Sequence, residues 1–276
     1  MLFVANWDSS NVQEYPLQGG NGSPKVTLST DVLSPQDVLF DSAGDLWVAN
    51  SSSIVEFSRS ELADSSATPV KVIEDGAENA GIAFDSSGDL WVDDYGGVNV
   101  VEYTKSQLRA SGSPTATVAL GGAQLNQPFG LAFDRSGDLW VGNEGNGDVL
   151  EYAKSELTKS GSPVPKLSLS VGSQAEGVAF DSQGNLWTTD GQAGNVLEFA
   201  KGQLTKPAAQ PAISVTPGLD WPGGLAFTAS GNLWVTDYNG KTMAELTKAQ
   251  LRAGGIVTPA RTISDSGGPV AVAIGP

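Results

Sequence analysis

The sequence predicts an all-β fold, a six-bladed β-propeller of four-stranded blades in which the last strand of the chain completes the first blade. Three observations support this prediction. One sequence pattern recurs five times along the 276 residues, and its copies are spaced at the period of propeller blades. The two ends of the chain carry complementary parts of a sixth copy.

The recurring pattern is G-[LIV]-A-F-D-x-x-G-[DN]-L-W-V-x-[DN], and a tryptophan marks each copy. The aligned tryptophans are Trp47, Trp91, Trp140, Trp187 and Trp234. By subtraction they lie 44, 49, 47 and 47 residues apart, and propeller blades repeat every 40–50 residues or so. The 34 Gly and the low charged fraction of 17% also suit an all-β chain with many tight turns.

Each copy divides into four short strands, as the copy around Trp140 illustrates. Residues 130–134 form an apolar first strand, and a Gly-containing turn at 135–138 leads into a second strand at 139–142. The third strand is expected at 148–152. A longer connection with one helical turn, ending in Ser-Gly-Ser-Pro, then leads to a fourth strand at 165–169.

The ends of the chain supply the sixth blade. Residues 270–274 match a first strand, and Leu2-Phe3-Val4-Ala5-Asn6 matches the second strand that would follow it. A ring closed in this way leaves no inner edge open to other chains. The predicted blades are 265–276 plus 1–30, 31–75, 76–120, 121–170, 171–216 and 217–264, all within a single domain.

Residues that recur in every blade are interpreted as scaffold. The tryptophans are expected to pack between blades, with Phe3 taking their place in the first. The third-strand glutamates are expected to pair with a basic residue three positions further on, as Glu151 would with Lys154. These glutamates are Glu14, Glu56, Glu102, Glu151, Glu198 and Glu245.

The repeat pattern resembles the NHL-repeat class of six-bladed propellers, and the wider group that holds streptogramin lyases and the regucalcin–gluconolactonase enzymes. The resemblance covers the whole chain and implies blade architecture, a scaffold that hosts unrelated functions. The Ser-Gly-Ser-Pro connections resemble those of bacterial extracytoplasmic repeat proteins, which implies a bacterial origin and a location outside the cytoplasm. The N-terminus has no basic n-region or cleavage site, so we expect no signal peptide in this chain.

The composition restricts the partners and the chemistry. The formal net charge is −16, which disfavours nucleic acid and anionic membranes, and no apolar run is long enough to cross a bilayer. Cys and His are both absent from the chain. This removes thiolate nucleophiles and the commonest general base and metal ligand. We expect a monomer that binds a polar small molecule, a glycan or a protein.

Departures from the repeat locate the candidate site. The residue before each first strand and the end of each second strand should face the same mouth of the axial channel. Asp37 and Glu176 are the charged residues assigned to the first position, and their blades face each other across the axis. The predicted ligand-binding residues are Asp37, Glu176, Phe129, Trp7, Tyr95, Tyr238, Trp221, Asp94, Asp190 and Asp237. The alternative is that these are ordinary solvated loop residues. Asn or Asp ends nearly every second strand, so most of that ring is expected to form structural hydrogen bonds.

The sequence offers three candidate functions. The resemblance to streptogramin lyases implies a catalytic His, which this sequence lacks. The resemblance to regucalcin–gluconolactonase enzymes implies a divalent-metal-dependent hydrolase, with Asp37 and Glu176 as candidate ligands of Ca²⁺. A hard cation takes about six or more oxygen ligands. The favoured hypothesis is a non-catalytic binding or scaffold propeller, which needs no cofactor and no catalytic residue, and catalysis stays open as the alternative.

Overall fold

The computed structural model describes residues 1–19 and 22–275 of a six-bladed β-propeller. Residues 20, 21 and 276, which belong to the predicted first blade, lie outside the described residues. In the described part the strands form six sheets, and we call these sheets blades one to six. No helix within these ranges is both long and apolar enough to cross a membrane.

The strands follow chain order. Blade one contains β1 (Leu2–Asn6), β2 (Asn11–Tyr15), β3 (Val26–Leu28) and β25 (Pro269–Ile274). Blade two contains β4 (Pro35–Phe40), β5 (Leu46–Asn50), β6 (Ser53–Phe57) and β7 (Lys71–Ile73). Blade three contains β8 (Asn79–Phe84), β9 (Leu90–Asp94), β10 (Asn99–Tyr103) and β11 (Val118–Leu120).

Blades four to six repeat the same meander. Blade four contains β12 (Pro128–Phe133), β13 (Leu139–Asn143), β14 (Asp148–Tyr152) and β15 (Leu167–Ser170). Blade five contains β16 (Ala175–Phe180), β17 (Leu186–Asp190), β18 (Asn195–Phe199), β19 (Ile213–Thr216) and the added β23 (Gly255–Ile256). Blade six contains β20 (Pro222–Phe227), β21 (Leu233–Asp237), β22 (Thr242–Leu246) and β24 (Arg261–Ser264). The helix α1 (Lys248–Ala253) precedes β23, and short 3₁₀ turns lie at Arg59–Glu61, Gln107–Arg109, Glu144–Asn146, Lys154–Glu156 and Lys201–Gln203.

The predicted ring closure is confirmed. The C-terminal strand β25 is the innermost strand of blade one and pairs antiparallel with β1, with Ile274 opposite Leu2. The backbone N–H of Gly275 donates to the carbonyl of Met1 at 2.9 Å. On the other side of this blade, the Arg261 guanidinium of blade six donates to the carbonyls of the segment that follows β2. Hydrogen bonds therefore hold both the first and the last strand of the chain within the ring.

Aromatic rings fill the joints between blades, as the repeat predicted. Five of the six second-strand aromatic rings meet a phenylalanine of the next blade edge-on, with ring centroids 5.1–6.0 Å apart. The five pairs are Phe3–Phe40, Trp47–Phe84, Trp91–Phe133, Trp140–Phe180 and Trp187–Phe227. At the sixth joint the ring of Trp234 packs instead against aliphatic residues of blade one, among them Val272 and Ile274. These tryptophans are almost completely buried.

The innermost strand of each blade is interrupted by a β-bulge beside the axis. In blade four, Pro128 pairs with Asn143 but the next paired residue is Leu131, so two residues between them leave the ladder. The second of these is a glycine in blades three to six, and its surroundings explain why. A Cβ on Gly130 would lie 2.6 Å from the carbonyl oxygen of Glu176 in the next blade. In blades three to six the innermost strand approaches that of the next blade too closely for a side chain at this position.

The third-strand glutamates do not pair as expected. Glu151 forms its ion pair with Lys166 at the start of the fourth strand, rather than with Lys154 three positions further on. The backbone N–H of Lys154 instead donates to the hairpin carboxylate of Asp138 at 2.8 Å. In blades two and four the basic partner of the glutamate therefore lies across the sheet, where sequence spacing gives no signal.

The Ser-Gly connections protect the outer strand edges. Gly112 donates its backbone N–H to the carbonyl of Val72 in the preceding blade at 3.0 Å, and Ser111 Oγ accepts from the N–H of Val72 at the same distance. Gly161 forms the same parallel bridge with Leu120. Unpaired strand edges recruit other chains, so each connection covers the edge of the blade before it.

Trp140→Ala should lower the free energy of unfolding by about 3–5 kcal/mol, because it empties a closely packed inter-blade joint. Denaturant unfolding followed by circular dichroism measures this change. Trp7→Ala, which removes a partly exposed tryptophan at the channel mouth, is the matched control and should cost less. An unchanged midpoint for Trp140→Ala would contradict the scaffold role.

Candidate functional site

A cavity of about 160 Å³ opens at one end of the axial channel. Two kinds of side chain dominate its lining. Four are aromatic and two are carboxylates: Trp7, Phe129, Trp221, Tyr238, Glu144 and Glu176. We call this cavity the mouth site. It is concave and mostly apolar with a few convergent polar groups, which is the usual construction of a small-ligand site.

The repeat supplies these side chains from two positions. Phe129 and Glu176 are the first residues of the bulges in blades four and five, and the bulge turns them out of the ladder toward the mouth. Trp7, Glu144 and Tyr238 come directly after the second strands of blades one, four and six. Blade five has Gly191 at this second position, where a Cβ would lie 2.2 Å from Glu176 Oε1. The glycine therefore leaves the space that the Glu176 side chain occupies.

Five of the predicted ligand-binding residues line the mouth site, namely Trp7, Phe129, Glu176, Trp221 and Tyr238. Tyr95 lies behind them, with its ring edge-on to that of Phe129 at a centroid distance of 6.4 Å. Its hydroxyl accepts a hydrogen bond from the Gln127 amide at 2.6 Å. Burial and the nearby charges of Glu144 and Glu176 raise the pKa of Tyr95 to about 12. The ligand-binding role of these residues remains a prediction.

Asp94, Asp190 and Asp237 lie outside this lining. Each carboxylate closes a loop by accepting backbone N–H groups, as Asp94 does from Glu78 at 3.1 Å and from Gly97 at 2.9 Å. Asp190 and Asp237 bind the corresponding loops of their own blades. These hydrogen bonds tie the end of the second strand to the segment that leads into the first.

Asp37 does not share the mouth with Glu176, so the predicted pair across the axis is wrong. Asp37 pairs with Ala49 in the ladder, and the residue left out of the ladder is Gln36. Gln36 accordingly lines the mouth site, whereas Asp37 lies one position deeper and lines the narrow channel below it. In blade two the residue equivalent to Glu176 is therefore Gln36, one position before the residue that the repeat pattern predicts.

Asp37 and a second carboxylate, Asp93, accept hydrogen bonds from backbone N–H groups around the channel. Asp37 accepts from the N–H of Ile82 in blade three at 2.9 Å, and Asp93 accepts from that of Gly130 in blade four at 2.9 Å. Burial raises the pKa of Asp37 to about 7 and that of Asp93 well above its usual value. Sequence reasoning missed Asp93, although it stands where other blades have Ala, Gly or Thr.

Glu176 is the buried acceptor of the mouth site. Its residue surface is 4% exposed, and its Oε1 is buried without a hydrogen-bond partner. Burial, and then the negative charge of Glu144, raise the pKa of Glu176 well above its usual value, while the Trp221 indole beside the carboxylate lowers it. A buried acceptor without a partner costs folding free energy and is the natural contact for a ligand.

Glu144 is the second carboxylate of the mouth site, and sequence reasoning missed it. It accepts a hydrogen bond from the Gln174 amide at 2.9 Å, and burial raises its pKa. The sequence does carry a signal for it, because Glu144 occupies the same repeat position as Trp7 and Tyr238, which are both predicted ligand-binding residues.

Trp221 reaches the mouth from a strained backbone. Its φ is +75°, in the left-handed region that disfavours bulky side chains. The equivalent residues of blades one, two and four, Gly268, Ser34 and Gln127, also have positive φ, so the fold imposes this conformation. Glycine would satisfy it without strain, yet blade six has the largest side chain available.

Carboxylates that could hold a metal ion lie elsewhere. Within residues 1–19 and 22–275, two groups bring three carboxylates close together, Asp41 with Asp45 and Glu56, and Asp85 with Asp89 and Glu102. Both belong to the hairpin and third-strand positions of the repeat, and in blade two Glu56 is already paired with Lys71. The predicted metal ligands Asp37 and Glu176 belong to neither group.

Comparison with known proteins identifies the fold. No protein-family model matches the chain, and no curated protein matches it. A chain of the nidogen–laminin complex is 14% identical, with a TM-score of 0.72 over 100% of this chain and 98% of that one. The periplasmic gluconolactonase of Pseudomonas aeruginosa is 14% identical, with a TM-score of 0.66 over 98% and 97%. Virginiamycin B lyase from Staphylococcus aureus is 13% identical, with a TM-score of 0.56 over 78% and 67%.

These similarities show that the chain is a six-bladed β-propeller matching lyase, lactonase and nidogen–laminin structures at low sequence identity. Two of the three structures are named for an enzyme activity and the third for a complex between proteins. A fold shared by such different proteins does not assign an activity.

Asp37→Asn should flatten the pH dependence of stability. The unfolded carboxyl titrates near pH 3.9, so between about pH 4 and pH 7 the folded protein holds an extra proton on Asp37 and loses stability as the pH rises. The variant should lack up to about 1.4 kcal/mol per pH unit of this decline. Urea unfolding between about pH 5 and pH 8 measures it. Exposed Asp64, whose pKa is lowered by hydrogen bonds from Ser66, gives the control Asp64→Asn. Parallel curves for Asp37→Asn and the wild type would refute the shift.

Replacements at Trp221 should reverse the usual order of alanine and glycine. Trp221→Gly relieves the positive φ and Trp221→Ala does not, so the glycine variant should be more stable by about 1 kcal/mol. Thermal unfolding of the two variants side by side measures the difference. An alanine variant at least as stable as the glycine variant would show that the backbone is not strained there.

Proposed function

We propose that this chain is a non-catalytic binding propeller that recognises a polar ligand, a carbohydrate or a side chain of a protein partner at the mouth site. The observation that carries the proposal is Glu176, a buried carboxylate with an unpartnered oxygen at the base of an aromatic-walled cavity. Aromatic walls supply contact area and the carboxylate supplies orientation, as in other small-ligand sites. A monomer outside the cytoplasm, without nucleic acid or membrane partners, remains part of the proposal.

The alternative, a metal-dependent hydrolase that uses Ca²⁺, has less support. The mouth site offers Glu144 and Glu176 as carboxylate ligands, and Glu144 already accepts from Gln174. The oxygens of Asp94 and Asp190 accept backbone N–H groups instead. A calcium ion takes six to eight oxygens, and the aromatic walls of the mouth contribute little toward that number.

Glu176→Gln should weaken ligand binding at the mouth site roughly tenfold or more, because a carboxyl group that can carry a charge against the ligand becomes a neutral amide. A glycan array with the labelled protein, followed by titration of tryptophan fluorescence, detects the binding. Glu198→Gln changes another buried glutamate of blade five, away from the mouth, and should bind like the wild type. A melting temperature that rises with Ca²⁺ and falls with EDTA, in the wild type but not in Glu176→Gln, would instead favour the hydrolase.

A further inference from the structure

We propose that the ligand of the mouth site is an organic cation, a quaternary ammonium group or a protonated amine held between Glu176 and the aromatic walls. This inference rests on the proposed function and names the chemical class of its ligand. Three observations support it. The two carboxylates of the cavity take part in no salt bridge within the described residues, aromatic side chains line the cavity, and its volume is about 160 Å³.

The carboxylates of the mouth site have no internal counter-charge. Within the described ranges, the salt bridges involve Glu56, Asp138, Glu151 and Asp8, and neither Glu144 nor Glu176 takes part. Glu176 is the deeper of the two and keeps an unpartnered oxygen. An uncompensated buried carboxylate is destabilising unless an opposite charge reaches it. A cationic ligand supplies that charge.

The aromatic walls select the kind of cation. Trp7, Phe129, Trp221 and Tyr238 line the cavity, and aromatic faces attract ammonium groups through their quadrupole. One side chain already uses this interaction at the rim, since Lys241 Nζ lies 4.2 Å from the centroid of the Tyr238 ring while it pairs with Asp8. A metal ion would find few oxygen ligands among these rings, and a neutral sugar would leave Glu176 without a counter-charge.

Proton exchange should accompany binding. Besides burial, the carboxylates of Glu144 and Asp190 raise the pKa of Glu176, and the indole of Trp221 lowers it. The charge of Glu176 in turn adds to burial in raising the pKa of Tyr95. Burial keeps a proton on Glu176 to a higher pH than usual. When a cation binds, the carboxyl O–H bond breaks, the proton passes to the buffer and the carboxylate faces the cation. Affinity should therefore increase as the pH rises toward the folded-state pKa of Glu176.

The experiment is isothermal titration calorimetry of the full chain with choline, with tetramethylammonium and with 3,3-dimethylbutan-1-ol, the neutral carbon isostere of choline. We expect both cations to bind and the alcohol to bind at least about tenfold more weakly. Glu176→Gln should weaken choline binding by a similar factor, while Glu198→Gln should not. Repeating the choline titration in two buffers of different ionisation enthalpy should reveal proton release, a readout that needs no variant to fold.

Each outcome separates this inference from the proposed function. Choline binding that survives Glu176→Gln, or an alcohol that binds as well as choline, would overturn the inference. Glycan binding at the mouth without binding of either cation would overturn it too and leave the proposed function standing. Failure of the cations and of the glycan array together would contradict both.

Discussion

The close approach of the six innermost strands at the axis is the constraint on which the rest of the structure depends. A Cβ on Gly81, Gly130, Gly177 or Gly224 would lie 2.6 Å from backbone of the next blade. The bulge that permits this approach leaves backbone N–H groups outside the ladder, and buried N–H groups need acceptors. Asp37 and Asp93 supply acceptors in two blades, and Thr189 Oγ1 accepts from Gly177 in a third. The buried carboxylates of the channel are therefore a consequence of ring geometry.

The same bulge creates the candidate site. The residue before each bulge glycine cannot remain in the ladder, and it turns toward the mouth. In blade four this residue is Phe129, and in blade five it is Glu176, which becomes almost completely buried. Burial of a carboxylate disfavours its charged form, as the raised pKa of Glu176 reflects. One backbone irregularity thus sets both the width of the channel and the electrostatics of the mouth.

The sequence determined the blades but not every side chain at the axis. Repeat spacing and complementary ends were enough to predict six blades and the closing strand, because both depend on patterns that recur along the chain. The sequence pattern assigns Asp37 to the mouth position that Gln36 occupies in the structure. Both residues are polar, so the apolar pattern cannot show which of them leaves the ladder. The structural roles of Asp94 and Asp190 depend on backbone N–H groups that lie 16 residues earlier in the chain, in the segment leading into the first strand of the same blade. The recurrence of Asn or Asp at the ends of the six second strands is the sequence signal for this structural role.

The six blades also provide an internal comparison for the mouth site. Where blade six has the strained Trp221, blade one has Gly268 with nearly the same φ. Where blade five buries Glu176, blade three has Ala80, and where blade four has Glu144, blade two has Ser51. Less strained or less polar residues are therefore compatible with each of these positions in the same fold. Stability alone would favour them, since strained backbone and buried carboxylates both reduce it. The convergence of Trp221, Glu144 and Glu176 on one cavity, in a scaffold that does not require them, is therefore the main support for the proposed ligand recognition.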